Sequence, residues 1–153
     1  MATVEPLSAA EDDFWRALMR IMLSLPRQLD RELRLAVDVT SNEYVTLMSL
    51  AEAPSSELRM NDLARSASLS ASRMTRVVEE LQARGLATKR ASVEDGRGNV
   101  AGLTPAGRAK LEAARWVHSS TMRALVFDHV DGATAKDASQ VLREIAERLQ
   151  GGS

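Results

Sequence analysis

Two arginines, Arg73 and Arg76, stand among small hydroxyl residues in the stretch Ser70 to Leu81, SASRMTRVVEEL. A guanidinium is a planar fork of donors that can bond guanine O6 and N7 together, and serine or threonine can bond bases or phosphates. The stretch reads as a helix. Ser70 is a good N-cap, and Met74, Val77, Val78 and Leu81 fall at i, i+3, i+4 and i+7, a stripe that must face a core. Ser72, Thr75, Arg76, Glu79 and Ala83 then point away from it, with Arg73 and Glu80 on a flank. Glu79 and Glu80 lie a turn or more beyond the hydroxyl-rich end. The chemistry on offer is recognition of an anion by the front of one helix.

Bond-making chemistry finds little support. The 153 residues include no cysteine, which removes thiol nucleophiles, disulfides and thiol redox sensing. His118 and His129 are the two imidazoles, and neither has a recognisable catalytic neighbour. A zinc site would need carboxylates to complete its ligands, so no metal is expected. There is no phosphate-binding glycine motif, no cofactor is expected, and an enzyme is not.

The net charge of -1 hides an asymmetry. Residues 57–110 hold ten basic and six acidic side chains, a local +4, while the rest holds ten basic and fifteen acidic, or -5. A polyanion would be met by the middle of the chain. With 44% hydrophobic and 27% charged residues the composition is that of an ordinary globular protein. No apolar run approaches the ~18 residues of a membrane span. The acidic start, MATVEPLSAAEDD, lacks the apolar centre of a secretory signal, so a cytoplasmic location is expected.

The elements that must position the arginines can be read on both sides. Ser8 to Glu11 and Thr40 to Glu43 are capping boxes, each opening a helix. The first helix carries Phe14, Leu18, Ile21, Met22, Leu25, Leu29 and Leu33 on one face, and Pro26 predicts a kink near Met22 or a break. The second carries Tyr44, Leu47, Met48 and Ala51 and stops at Pro54. Leu58 to Met60 is a candidate extended piece. Asn61 is expected to cap a short helix with Leu63, Ala64 and Ala67, and a turn at Ser68 to Ser70 leads into the arginine helix. Gly85 marks its end. Leu86–Ala91 and Asn99–Leu103 can pair as a hairpin around the Asp95-Gly96 turn. Thr104-Pro105 opens a helix to about Phe127, and Thr134 is expected to cap a last one with Ala138, Val141, Leu142, Ile145 and Leu149.

Two short helices, a tight turn and a hairpin make a winged helix-turn-helix. Its second helix enters the major groove by its N-terminal end. Arg97, between two glycines at the hairpin tip, suits a minor groove, and Lys89 and Arg90 at the hairpin base suit phosphates. Taken singly, each is most simply a solvated surface charge and Asp95 a turn residue; their order along one motif carries the reading.

The span LRMNDLARSASLSASRMTRVVEELQARGLATKRASVEDGRGNVAGLTPAGRAKL resembles the DNA-binding core of the MarR family of bacterial regulators. The matching elements are Leu63-Ala64, Ser70 to Leu81, Gly85-Leu86 leading to Arg90, Asp95-x-Arg97, and Leu103-Thr104-x-x-Gly107. The resemblance implies a mainly α fold of about six helices with a small β-hairpin wing. It implies dimerisation helices at residues 1–39 and 105–153 flanking a winged helix-turn-helix at 40–104. It further implies a homodimeric repressor of a pseudo-palindromic operator in double-stranded DNA, released by a small aromatic or anionic effector. By position, Ser70, Ser72, Arg73, Thr75 and Arg76 would meet the major groove, Arg97 the minor groove, and Asp95 would brace the wing. Glycines at 96, 98 and 102, Asn99 in the wing, Ser68 at a turn position often held by glycine, and Pro26 depart from the family pattern.

Candidate effector contacts are Trp15, Arg16, Met19, Tyr44, Met48, Trp116 and His118, aromatic, soft or polar residues of helices expected to meet where the two lobes join. Methionine and tryptophan at helical spacing are more often simply core. The competing reading of the whole chain is a winged-helix module that binds protein without sequence-specific DNA binding.

Overall fold

The computed structural model describes residues 5–92 and 98–150. Six α-helices carry a small three-stranded sheet. They are α1 (Ala9–Val37), α2 (Ser41–Glu52), α3 (Met60–Ser66), α4 (Ala71–Ala83), α5 (Pro105–Leu125) and α6 (Gly132–Gln150). The strands are β1 (Glu57–Arg59), β2 (Ala87–Ala91) and β3 (Asn99–Leu103). The expected hairpin is present, with Arg90 opposite Val100, and β1 extends it into an antiparallel sheet ordered β1-β3-β2. Asn99 and Gly102 are poor strand formers, yet both are paired, because cross-strand partners override local preference.

Both capping boxes form: Glu11 returns to the Ser8 N–H at 2.8 Å and Glu43 to the Thr40 N–H at 2.7 Å. Of the kink or break expected at Pro26, the break does not occur: α1 runs through it. Pro26 is exposed in the single chain, and the one helical hydrogen bond it removes is a small loss in a helix of 29 residues. Two expected caps are also corrected. The short helix starts at Met60 with Arg59 at the cap position and no side-chain cap bond, so Asn61 lies inside it. The last helix is capped by Asp131, whose carboxylate accepts from the N–H groups of Ala133 at 2.9 Å and Thr134 at 3.0 Å. The Thr134 hydroxyl donates to the same carboxylate at 2.7 Å, so it supports the cap instead of making it. The helix beginning at Pro105 ends at Leu125, just before a 3-10 turn at Phe127–His129.

The core gathers Leu47 and Leu50 of α2, Leu63 of α3, Met74, Val78 and Leu81 of α4, and Leu111 of α5, all fully buried. Leu33 and Val39 join them, so the end of α1 belongs to the same core as the helix-turn-helix. The stripe Met74, Val77, Val78 and Leu81 is buried as its spacing requires. Two tight turns position α4. Ser68 before it has φ 53° and Gly85 after it φ 69°. That left-handed conformation costs glycine nothing and serine about 1–2 kcal/mol.

Candidate nucleic-acid interface

The N-terminal end of α4 is built from its own hydroxyls. Ser70 Oγ accepts from the Arg73 N–H at 3.3 Å and lies 3.3 Å from Ser72 Oγ. Thr75 Oγ1 donates to the Ala71 carbonyl at 3.0 Å, which keeps its oxygen lone pairs for another donor. Arg73 and Arg76 are exposed, and neither makes an ion pair or side-chain hydrogen bond among the described residues.

The basic residues of the wing base are tied down. Lys89 Nζ donates to Glu79 Oε1 at 2.9 Å, so a carboxylate a turn beyond the hydroxyl-rich end clamps β2 to α4. Arg90 reaches across β3 to Glu57 of β1 at 2.6 Å. Any phosphate contact by these two would share the cation with its carboxylate. Thr75, Lys89 and Asn99 line a polar hollow between α3, α4 and the sheet, together with Arg59, Asn61 and Arg65. Asp95 and Arg97 lie outside the described residues.

On the opposite flank of α4 is a second hollow. Arg34, Thr40 and Asn42 face Arg73, Arg76 and Glu80 across it. Arg34 Nε donates to Asp30 Oδ2 at 2.6 Å, while Asp30 Oδ1 accepts from the Ser41 N–H at 2.8 Å. Burial raises the Asp30 pKa, but the Ser41 and Arg34 bonds outweigh it and leave it below the usual carboxylate value. Arg34 and Asn42 are neighbours of the recognition helix that sequence reasoning missed. They sit some thirty residues before it, outside any motif, and only the burial of the α1 end brings them near.

No one groove in the single chain is lined by all seven effector candidates. Tyr44 and His118 do meet, their rings stacked with centroids 5.0 Å apart and 19° between planes. Burial raises the Tyr44 pKa, opposed by Arg115, and lowers that of His118. His118 also lines a groove with Met122, Phe127 and Val130. Trp15 lines another with Leu7 and Phe14, Arg16 pairs with Asp12 at 2.8 Å, and Trp116 is 75% exposed. Met19 and Met48 are half-buried. No group of three or more His, Asp or Glu among the described residues could hold a metal ion.

A helix-turn-helix whose second helix presents unpaired arginines beside a three-stranded wing defines a winged-helix DNA-binding protein. The family model described as MarR family matches residues 37–98. The structure is similar to the crystal structure of Sco3205, a MarR family transcriptional regulator from Streptomyces coelicolor, in complex with DNA. The TM-score is 0.88 and the identity 31%, over 94% of each chain. It is also similar to AbsC, a MarR family transcriptional regulator from the same organism, with TM-score 0.88 and 26% identity over 97% of this chain and 99% of that one. A likeness of fold alone extends to the organohalide-sensing regulator RdhR-CbdbA1625 in its 2,4-dichlorophenol-bound form. There the TM-score is 0.78 and the identity 14%, over 97% of this chain and 88% of that one. Comparison with curated proteins returns no significant match. The chain belongs to the MarR family of transcriptional regulators, and it is a DNA-binding regulator. No described helix is long and apolar enough to cross a membrane.

Proposed function

We propose that the chain works as a cytoplasmic homodimer that represses transcription from a pseudo-palindromic operator. The observation that carries the dimer is apolar surface left open by a single protomer. Phe14, Ile21 and Met22 of α1 are 54–56% exposed, and Val141, Leu142 and Leu149 of α6 are 48–78% exposed. The helix α6 makes at most marginal contact with any other element. A second copy pairing α1 and α6 with its own, and with the end of α5, buries these faces. In this reading residues 1–39 and 105–153 form the dimer lobe, residues 40–104 the DNA-binding region, and the two α4 helices address half-sites about 34–36 Å apart.

Ser70, Ser72, Arg73, Thr75 and Arg76 are the contacts at the α4 end, Lys89 and Arg90 flank them, and the minor-groove contact is assigned to Arg97 with Asp95 as its support. The test uses a duplex selected by the protein from a random library, and a scrambled duplex of equal length. Fluorescence anisotropy should show preference for the selected duplex and an affinity that falls steeply with salt. Absence of any enriched sequence would favour the protein-binding module. Sedimentation showing a stable monomer at micromolar concentration would sink the dimer.

The reading includes release by a small aromatic or anionic effector. It is supported by the groove at His118, Met122 and Phe127 and by the fold relative crystallised with 2,4-dichlorophenol. That phenol is the first probe: added to the protein–duplex complex, it should lower the anisotropy, and no change up to its solubility limit would remove phenols from the effector class.

A further inference from the structure

We propose that the two exposed arginines of α4 have separate jobs: Arg76 reads a base, and Arg73 shares one backbone phosphate with Arg34. The inference rests on the DNA-binding reading above and goes beyond it by dividing the contact surface.

The helix geometry separates the two side chains. At about 100° per residue, Arg76 lies roughly 150° from the centre of the buried stripe, and Arg73 only about 90°. Arg76 therefore sits with Ser72 on the crest that leads into the groove. Arg73 sits on the flank that looks toward the end of α1 and the start of α2, where the hollow lined by Arg34, Thr40, Asn42 and Glu80 lies. Arg76 borders that hollow too, but from the crest side.

Arg34 is oriented for an anion. Its Nε is held by Asp30, and Asp30 is in turn held by the Ser41 N–H. Neither terminal nitrogen of Arg34 makes a hydrogen bond among the described residues, although the charges of Glu43 and Asp38 also act on its guanidinium. At the start of α2 the Thr40 N–H donates to Glu43 and the Ser41 N–H to Asp30, while the Thr40 hydroxyl accepts from the Glu43 N–H and keeps its own proton for another acceptor. The attraction in the hollow therefore comes chiefly from the guanidiniums, with the Thr40 hydroxyl and the Asn42 amide as added donors. A phosphodiester oxygen suits such a pair of forks, and it lies beside the major groove that α4 enters. Glu80 at the far end of the hollow weakens the attraction, which keeps sequence-independent binding in check.

The experiment measures Arg73→Ala, Arg34→Ala and Arg76→Ala on the full chain with the library-selected and scrambled duplexes across a salt series. Arg73→Ala and Arg34→Ala should each weaken both duplexes by a similar factor and lower the salt slope by about one. Arg76→Ala should shrink the preference for the selected duplex by roughly tenfold or more at one position per half-site. Arg73→Lys should keep most of the affinity, since a phosphate accepts a point charge, whereas Arg76→Lys should not restore preference. Glu80→Gln should tighten both duplexes together. Ethylation interference should show the same single phosphate per half-site becoming unimportant in Arg73→Ala and in Arg34→Ala. Loss of preference in Arg73→Ala, or an Arg34→Ala variant that binds like the parent, overturns the division while leaving DNA binding intact. Failure of the parent protein to enrich any sequence overturns the underlying reading instead.

Discussion

Arg84, at the end of the recognition helix, donates from Nη1 to the buried carboxylate of Glu43 at 2.8 Å. Its Nη2 reaches Asp38, both backbone carbonyl and carboxylate, at the end of α1. The other Glu43 oxygen takes the Thr40 N–H. One side-chain pair thus joins the ends of three helices and sets how α4 is presented. Glu43 is 4% exposed as a side chain and Arg84 32%. Glu43→Ala strips a hydrogen-bonded partner from a half-buried cation and removes a cap, so it should cost about 2–3 kcal/mol in chemical denaturation. A loss below about 0.5 kcal/mol, ordinary for a surface change, would count against this role.

Gly107 is held by space. A Cβ there would come within 1.9 Å of the Leu86 carbonyl oxygen. The same glycine N–H is the one that Thr104 Oγ1 accepts at 2.9 Å to cap α5. Gly107→Ala must push α5 away from the wing base, at a cost of about 2–4 kcal/mol. At this chain length that lowers Tm by roughly 5–12 °C. A Tm within a degree or two of the parent would show that the backbone yields cheaply.

The His118 ring predicts a pH dependence. Burial lowers its pKa, so protonation favours the unfolded chain, whose histidines titrate near ~6.5. The contribution is fully present above about pH 6.5 and is lost as pH falls toward the folded value. Tm should fall between about pH 7.5 and about pH 5.5, and His118→Phe, which keeps a ring against Tyr44, should reduce that fall. An equal fall in both proteins would mean that other groups carry it.

Leu142 tests the pairing of protomers. It is 48% exposed in the single chain, so Leu142→Glu should leave the helical content intact. If α6 pairs with a second copy, the buried charge should weaken the dimer by at least about a hundredfold. Sedimentation equilibrium would read this directly, and an unchanged dimer would place the interface elsewhere.

Much of the site was legible because its signals are local. Ser70 as cap, the apolar stripe of α4, the Gly85 turn and the Thr104-Pro105 start each concern residues within one helical turn, and each formed as spacing implied. Local signals also misled. Asn61 and Thr134 are good capping residues, but the chain begins each helix elsewhere, at Met60 after Arg59 and at Gly132 after Asp131. Pro26 does not break α1, since one missing hydrogen bond is a small loss in a long helix.

Residue types and their periods were enough to place the helices, the wing strands and the arginines on the outward side of one rod, because capping and amphipathic spacing act over a few residues. Folding alone decided what those arginines stand beside. The addition of β1 to the hairpin, the clamp of Lys89 by Glu79, the Glu43–Arg84 tie and the approach of Arg34 to Arg73 join residues ten to forty-odd positions apart. Such pairings depend on how the shared core closes around Leu33, Leu47 and Leu81, and no local preference encodes that closure.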